Sequence, residues 1–425
     1  MKLKPQKQVL KNGLTLVTVP VRSASVAAVL LVRVGSRDEE KDINGISHFL
    51  EHMVFKGTKK WPTSREMNQV IDSVGGVFNA FTSHEHTGFW VKLAKKHLKL
   101  GLTYLEQVVF EPLLPEAELT RERGVILEEI KMYEDNPMAN VAKSFGAQIF
   151  AGSSLGQQII GTPQNIKSLQ RDQFYRHLKH WYQPKNMVLT VAGGVDNGKL
   201  GSLAEEVFSK HFASRVKFSQ QPKPVKLKAG LRLKVIYKDI SQAHFCLGVT
   251  TFKRGHRDRY ALGVLNTVLG ANSSSRLFEE IRDKRGLVYY VRSGADGFFE
   301  TGYLVTQAGC DVKRVKEAIV VTRGEYAKLT QRASGVSDEE LKRAKEYLKG
   351  RLALELEDSQ EVAGMFGDGL LLENKLRTVE ELYRGVEKVT AAQVTRVAKT
   401  IFAPKRLHLT VVGPFKGSSR FKNLL

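Results

Sequence analysis

Two histidines and a glutamate stand where they could hold a metal ion and move a proton. The segment NGISHFLEHMVFKGT carries His48, Glu51 and His52 in the order H-x-x-E-H. On a helix, His48 and His52 lie one turn apart and project from one face, and Glu51, three residues after His48, flanks that face. Neutral imidazoles are good zinc ligands, and a carboxylate beside them can take a proton from a water that the ion activates. A merely solvated pair of histidines fits poorly, because Ile46, Phe49, Leu50, Met53, Val54 and Phe55 would bury most of the same helix.

A catalytic zinc needs a third protein ligand and an open position. The stretch PEAELTRERGVILEEIKMYEDNP reads as a helix, with proline at its start and Asn-Pro at its end. It offers Glu122, Glu128 and Glu129. Glu122 and Glu129 are seven residues apart, two turns along one face, so one can ligate while the other supports it. Glu128 is rotated away from that face.

These elements must sit in a chain of 425 residues with 42% hydrophobic content, enough for two domains of about 200 residues each. A shift of 220 residues brings the two halves into agreement. Gln173 falls on Gln393, Arg176 on Arg396, Lys179 on Lys399, Pro184 on Pro404, Leu189 on Leu409 and Gly193 on Gly413. The same shift places Gly35, Arg37 and Asp38 on Gly255, Arg257 and Asp258. One supersecondary plan is thus used twice. Between the copies, Lys210 to Lys238 carries basic residues and no acidic one, around the Pro-containing SQQPKP, which reads as a linker. The expected organisation is an N-terminal metal-bearing domain (1–215), a basic linker (216–229) and a homologous C-terminal domain (230–425). Strand and helix blocks interleave irregularly, so the fold class expected is α+β, each domain a mainly antiparallel sheet packed with helices.

The net charge of +22 is uneven: residues 1–215 hold 28 basic and 21 acidic residues, and residues 216–425 hold 38 and 23. No aromatic-studded basic motif or zinc-finger spacing accompanies it, so nucleic acid is not an expected partner. Cys246 and Cys310 lack C-x-x-C spacing and read as inert thiols. No run approaches the roughly 20 apolar residues of a membrane span, and the N-terminus lacks the apolar region of a secretory signal. The expectation is a protein without membrane association, in a bacterial cytoplasm.

Over nearly its whole length the chain resembles the pitrilysin and insulin-degrading peptidase superfamily, most closely the mitochondrial processing peptidase branch and its bacterial relatives. The resemblance is carried by HFLEHMVFKGT (48–58), GGVFNAFTSHEHT (75–87), RERGVILEEIKMYEDNP (121–137), LGQQIIGT (155–162), YQPKNMVLTVAG (182–193) and SRLFEEIRDKRGLVYYV (275–291). It implies one zinc ion per chain on His48, His52 and Glu129, general-base work by Glu51 and a supporting role for Glu122. It further implies that Asn79, Ala80, Phe81 and Thr82 form an edge that holds an extended peptide by strand addition. Arg282 and Tyr289 are implied as donors to the substrate backbone and the developing oxyanion. No H-x-x-E-H occurs after residue 215, so the second half is expected to hold no zinc.

Members of that superfamily close two halves around a chamber. The resemblance therefore implies a zinc metalloendopeptidase that works as a homodimer, or as a heterodimer with an inactive paralogue, on enclosed peptides or unfolded segments. Arg282 and Tyr289 of one subunit would then serve the zinc of the other. Two rival readings are a non-catalytic peptide-binding or assembly subunit, which would not need an intact motif, and a targeting-peptide processing peptidase, whose basic substrates a +22 chain would repel. His84 and His86 depart from the usual family pattern and, flanking Glu85 near a hairpin turn, are expected to be exposed.

Overall fold

The computed structural model describes residues 3–211, 232–333 and 335–425. The basic linker expected at 216–229 lies outside the described residues. The first sheet is built from β1 (Gln6–Val9), β2 (Thr15–Pro20), β3 (Ser25–Val32), β4 (Val77–Thr82), β5 (Thr87–Ala94) and β6 (Met187–Gly193), in the order β1-β2-β6-β3-β5-β4. The second is built from β7 (Leu233–Tyr237), β8 (Gln242–Thr251), β9 (Val288–Gly297), β10 (Gly302–Asp311) and β11 (His408–Gly413), in the order β7-β11-β8-β10-β9. Each sheet has one parallel pair, β2 with β6 and β7 with β11, and is otherwise antiparallel. This is the expected α+β plan, used twice.

Sequence decides which strands are central. VLTVAG in β6 and VAAVLLV in β3 are apolar or small almost throughout and are buried along their length, because both sheet faces are covered there. QKQV in β1 is exposed at every position and forms an edge. VFNAFT in β4 mixes exposed and covered positions and forms the opposite edge.

The chain gathers into two units, neither continuous in sequence. The first comprises Met1–Ile130, Gln157–Pro222 and Ala353–Glu381; the second comprises Lys131–Gly156, Lys223–Leu352 and Leu382–Leu425. Relative to the sequence division at 215 and 230, one helix is exchanged in each direction. In the first unit, helix Ser359–Glu373 packs on β3 and β6. The approach is close at Gly367, where a Cβ would come within 2.9 Å of Leu31 Cδ1 and 3.0 Å of Thr190 Oγ1 and those side chains would have to give way. The Lys92–Asp358 ion pair (2.8 Å) and the approach of His86 Nε2 to Asp368 Oδ1 (3.2 Å) lie between this helix and the strand side. The core of this unit joins Leu30 and Phe89 of the sheet to Phe49, Leu50 and Met53 of the motif helix and to Leu102 and Leu105.

In the second unit the counterpart is helix Pro137–Ile149, started by the Asn136 side chain and by proline at its first turn. Its Val141, Phe145 and Ile149 pack with Cys246 of β8 and Val412 of β11. Both cysteines are buried, and burial pushes the Cys310 thiol up to about 12 and Cys246 higher still, so both are inert as expected. No helix among the described residues is long and apolar enough to cross a membrane.

Candidate metal centre

The motif helix, Ile46–Met53, is set in place from its N-terminus. Gly45 has φ +103°, and a Cβ on it would lie 2.8 Å from the Cα of Gly161, itself at φ +78°. Two backbones thus touch where IIGT meets NGIS, and only glycine allows that approach. The carboxylate of Glu39 is buried behind this turn. Its Oε2 accepts hydrogen bonds from the Gly45 N–H and from Asn44 Nδ2 (both 2.7 Å), and its Oε1 from the Ser47 N–H (2.8 Å). Burial pushes Glu39 up to about 7, against the pull of the Gly45 and Ser47 N–H groups. An acceptor at the first turn satisfies donors that the helix leaves unpaired. Ser47 Oγ and His177 Nε2, 3.3 Å apart, add a second tie.

From this anchored helix His48 and His52 turn toward Glu129 on helix Glu116–Asp135. The Oε2 atom of Glu129 is 3.7 Å from His48 Nε2 and 3.6 Å from His52 Nε2. One donor atom from each of the three residues lies within 4.8 Å of the others. These separations are too long for hydrogen bonds, and Glu129 Oε2 is buried without a hydrogen-bond partner, as is His48 Nδ1. A buried carboxylate oxygen facing two imidazole nitrogens is costly unless a cation completes it. Burial, then the neighbouring His52, lowers the pKa of His48 to about 4, which keeps it in the neutral form a metal ligand needs. The two-nitrogen, one-oxygen donor set suits zinc.

Glu122 does not face this point. Its Oε2 is 3.1 Å from His52 Nδ1, and its Oε1 pairs with Lys56 Nζ at 2.6 Å. This contact on Nδ1 leaves the Nε2 of the His52 ring turned toward Glu129. Glu128 is exposed. Glu51 lies beside His52, and its Oε2 accepts a hydrogen bond from Thr82 Oγ1 (2.7 Å). Burial raises its pKa, opposed by that hydrogen bond and by His52.

Thr82 ends β4, which pairs only with β5 among the described residues. The Ser83 N–H bonds to the His86 carbonyl (2.9 Å) and continues the register Phe81↔Gly88 and Asn79↔Trp90. In an antiparallel pair such bonding alternates, so the N–H and C=O groups of Phe78, Ala80 and Thr82 point off the sheet. The Ala80 N–H is met by the Asn79 side-chain oxygen at 2.8 Å. Residues 79–82 thus form an open edge whose last residue touches Glu51.

The expected exposure of His84 and His86 is overturned. Glu85 is buried in an ion pair with Arg37 (2.6 Å), both side chains 1% exposed. His84 Nδ1 meets Ser36 Oγ (3.0 Å), and burial pushes its pKa down to about 4. His86 is 9% exposed and pairs with Ser83 and Asp368. Alternation around a turn predicts outward side chains, but here the turn folds onto the loop after β3 and is buried by it. A second group of metal-competent donors, Glu106, Glu111 and His211, also lies in the first unit. Its charges are already met, Glu106 by His211, Lys210 and Gln107, and Glu111 by Lys59.

Arg282 and Tyr289 belong to the second unit. The Arg282 guanidinium lies 4.7 Å over the Phe278 ring, and Tyr289, on β9, is 59% exposed. Among the described residues, neither group of metal-competent donors lies in that unit. Sequence reasoning missed Glu39, His177 and the Thr82 hydroxyl. The Asn-Gly pair at 44–45, a turn signal just before the motif, was the one available hint.

Comparison with known proteins gives a consistent result. Residues 17–163 match the family model for insulinase, peptidase family M16, and residues 168–348 match that for the peptidase M16 inactive domain. An uncharacterized zinc protease of Streptomyces coelicolor is 34% identical over 416 residues, spanning 97% of this chain and 90% of that protein. One from Bacillus subtilis is 34% identical over 378 residues, spanning 89% and 90%. The crystal structure of a protease from Helicobacter pylori matches 97% of this chain and all of that chain, with a TM-score of 0.89 and 25% identity.

Proposed function

The chain belongs to the insulinase family of peptidases, M16, and from that premise we propose that it is a zinc metalloendopeptidase acting on peptides and unfolded segments. The observation that carries this reading is the meeting of His48 Nε2, His52 Nε2 and the unpartnered Oε2 of Glu129, with Glu51 alongside. His48, His52 and Glu129 would hold one ion. Zinc bound there supplies Lewis acidity, lowering the pKa of a water to about 7 and polarising a carbonyl. Glu51 takes a proton from the attacking water as its oxygen adds to the scissile carbonyl carbon. The same carboxyl returns that proton to the leaving amine as the C–N bond breaks. The open edge of β4 holds the substrate extended, which selects backbone shape over side-chain identity.

The reading extends to a homodimer that encloses its substrates, with Arg282 and Tyr289 of each subunit donating hydrogen bonds to the developing oxyanion at the other subunit's ion. One experiment tests both parts. Protein resolved by size is assayed on a fluorescence-quenched peptide library with a chelator, without it, and after zinc is restored. Activity is expected at twice the chain mass of 47.6 kDa, to vanish on chelation and to return with zinc. Activity indifferent to chelation excludes the metallopeptidase, and activity confined to monomer excludes the dimer.

A further inference from the structure

We infer that Thr82 is a positioning residue for the general base, its hydroxyl fixing the direction of the Glu51 carboxylate from the residue whose main chain ends the open edge. The inference rests on the peptidase reading above and concerns a role of the Thr82 side chain separate from its place on the substrate edge. Among the described residues, the Thr82 hydroxyl is the only hydrogen-bond partner of the Glu51 carboxylate, at 2.7 Å. The glutamate side chain has several rotatable bonds, and this hydrogen bond sets the direction of its Oε2. Threonine is branched at Cβ, so its χ1 is stiff and the hydroxyl direction follows the backbone. That backbone is the last step of β4, and by the alternation of the ladder its N–H and C=O point off the open edge.

One residue therefore faces two ways. Its main chain meets an added strand, and its side chain holds the carboxylate that must act on a bond in that strand. A peptide paired at Thr82 is thereby placed in fixed register with the Glu51 carboxylate that the same residue holds. Misplacement of a reacting group by about 1 Å costs on the order of 10²-fold in rate, so the hydroxyl matters for turnover and little for affinity.

The test compares Thr82→Val, which keeps the branched shape and strand preference but removes the hydroxyl, with Thr82→Ser, which keeps the hydroxyl. The substrate is the library peptide that the wild type cuts fastest. Thr82→Val is expected to lower kcat by about 10 to 100-fold while zinc content and KM stay near wild type. Thr82→Ser is expected to recover most of the loss. Two further readouts do not use turnover. In the inactive Glu51→Gln background, adding Thr82→Val is expected to leave the peptide Kd unchanged. In crystals of the zinc-loaded variants, Glu51 is expected in one rotamer with Thr or Ser at position 82 and in more than one with Val. Unchanged kcat in Thr82→Val, or a loss of peptide affinity or zinc in place of turnover, overturns the inference while leaving the peptidase reading standing. If Glu51→Gln cleaves as the wild type does, the peptidase mechanism itself falls and this inference falls with it.

Discussion

Glu51→Gln is expected to keep its zinc and to lose peptide hydrolysis by at least about 10²-fold, the lower end of general-base effects. The side chain is nearly isosteric, and its carbonyl oxygen can still accept the Thr82 hydroxyl, so the motif helix and the edge strand should not move. Glu51 is not among the converging donors, and metal affinity should be unaffected. What glutamine cannot do is accept a proton. His52→Ala is the contrasting variant, because it removes a donor and should lose both zinc and activity. Parallel measurement of bound zinc and peptide turnover separates the two roles. A Glu51→Gln protein that cleaves at the wild-type rate would refute the mechanism.

The second large effect separates adjacent glutamates. Glu129→Gln is expected to weaken zinc binding well beyond the 10 to 100-fold usual for a residue behind a ligand, because it replaces the one anionic donor facing both histidines. Glu122→Gln should fall within that range, since it acts through His52 Nδ1. Glu128→Gln should be near neutral: Glu128 is exposed and turned about 100° from Glu129 around the helix. Competition with a chromogenic chelator ranks the three. The reverse order for Glu128 and Glu129 would move the ligand by one residue.

The part of this site that was legible in the sequence is the part governed by helix periodicity. Spacing of four and three residues placed His48, His52 and Glu51 together, and spacing of seven put Glu122 and Glu129 on one face. Spacing alone did not choose between those two glutamates. The choice depends on where the motif helix crosses the longer helix, which is a matter of packing: Glu129 meets both Nε2 atoms, and Glu122, two turns earlier, reaches the far side of the His52 ring. The fold class and its doubling followed from apolar patterning and the 220-residue offset. The exchange of helices Pro137–Ile149 and Ser359–Glu373 between the two units did not, because nothing local in either helix says which sheet it covers.

The same limit explains the anchor. Glu39 reads as one of three consecutive acidic residues, as on any solvated loop, yet it lies buried against the first turn of the motif helix. Its burial depends on Gly161, more than a hundred residues later, meeting Gly45 backbone to backbone. His84 and His86 failed in the expected direction for a related reason. Turn chemistry describes the hairpin, and the loop that folds over it, through Ser36 and Arg37, comes from another part of the chain.

The central claim is that one ion sits among His48, His52 and Glu129. Anomalous diffraction at the zinc absorption edge, from crystals of the protein purified with zinc supplied, tests it without any assumption about substrate. One strong peak per chain is expected, shared by the Nε2 atoms of His48 and His52 and the carboxylate of Glu129, and absent in Glu129→Gln crystals. A peak only at Glu106, Glu111 and His211, or none at the motif, would contradict it.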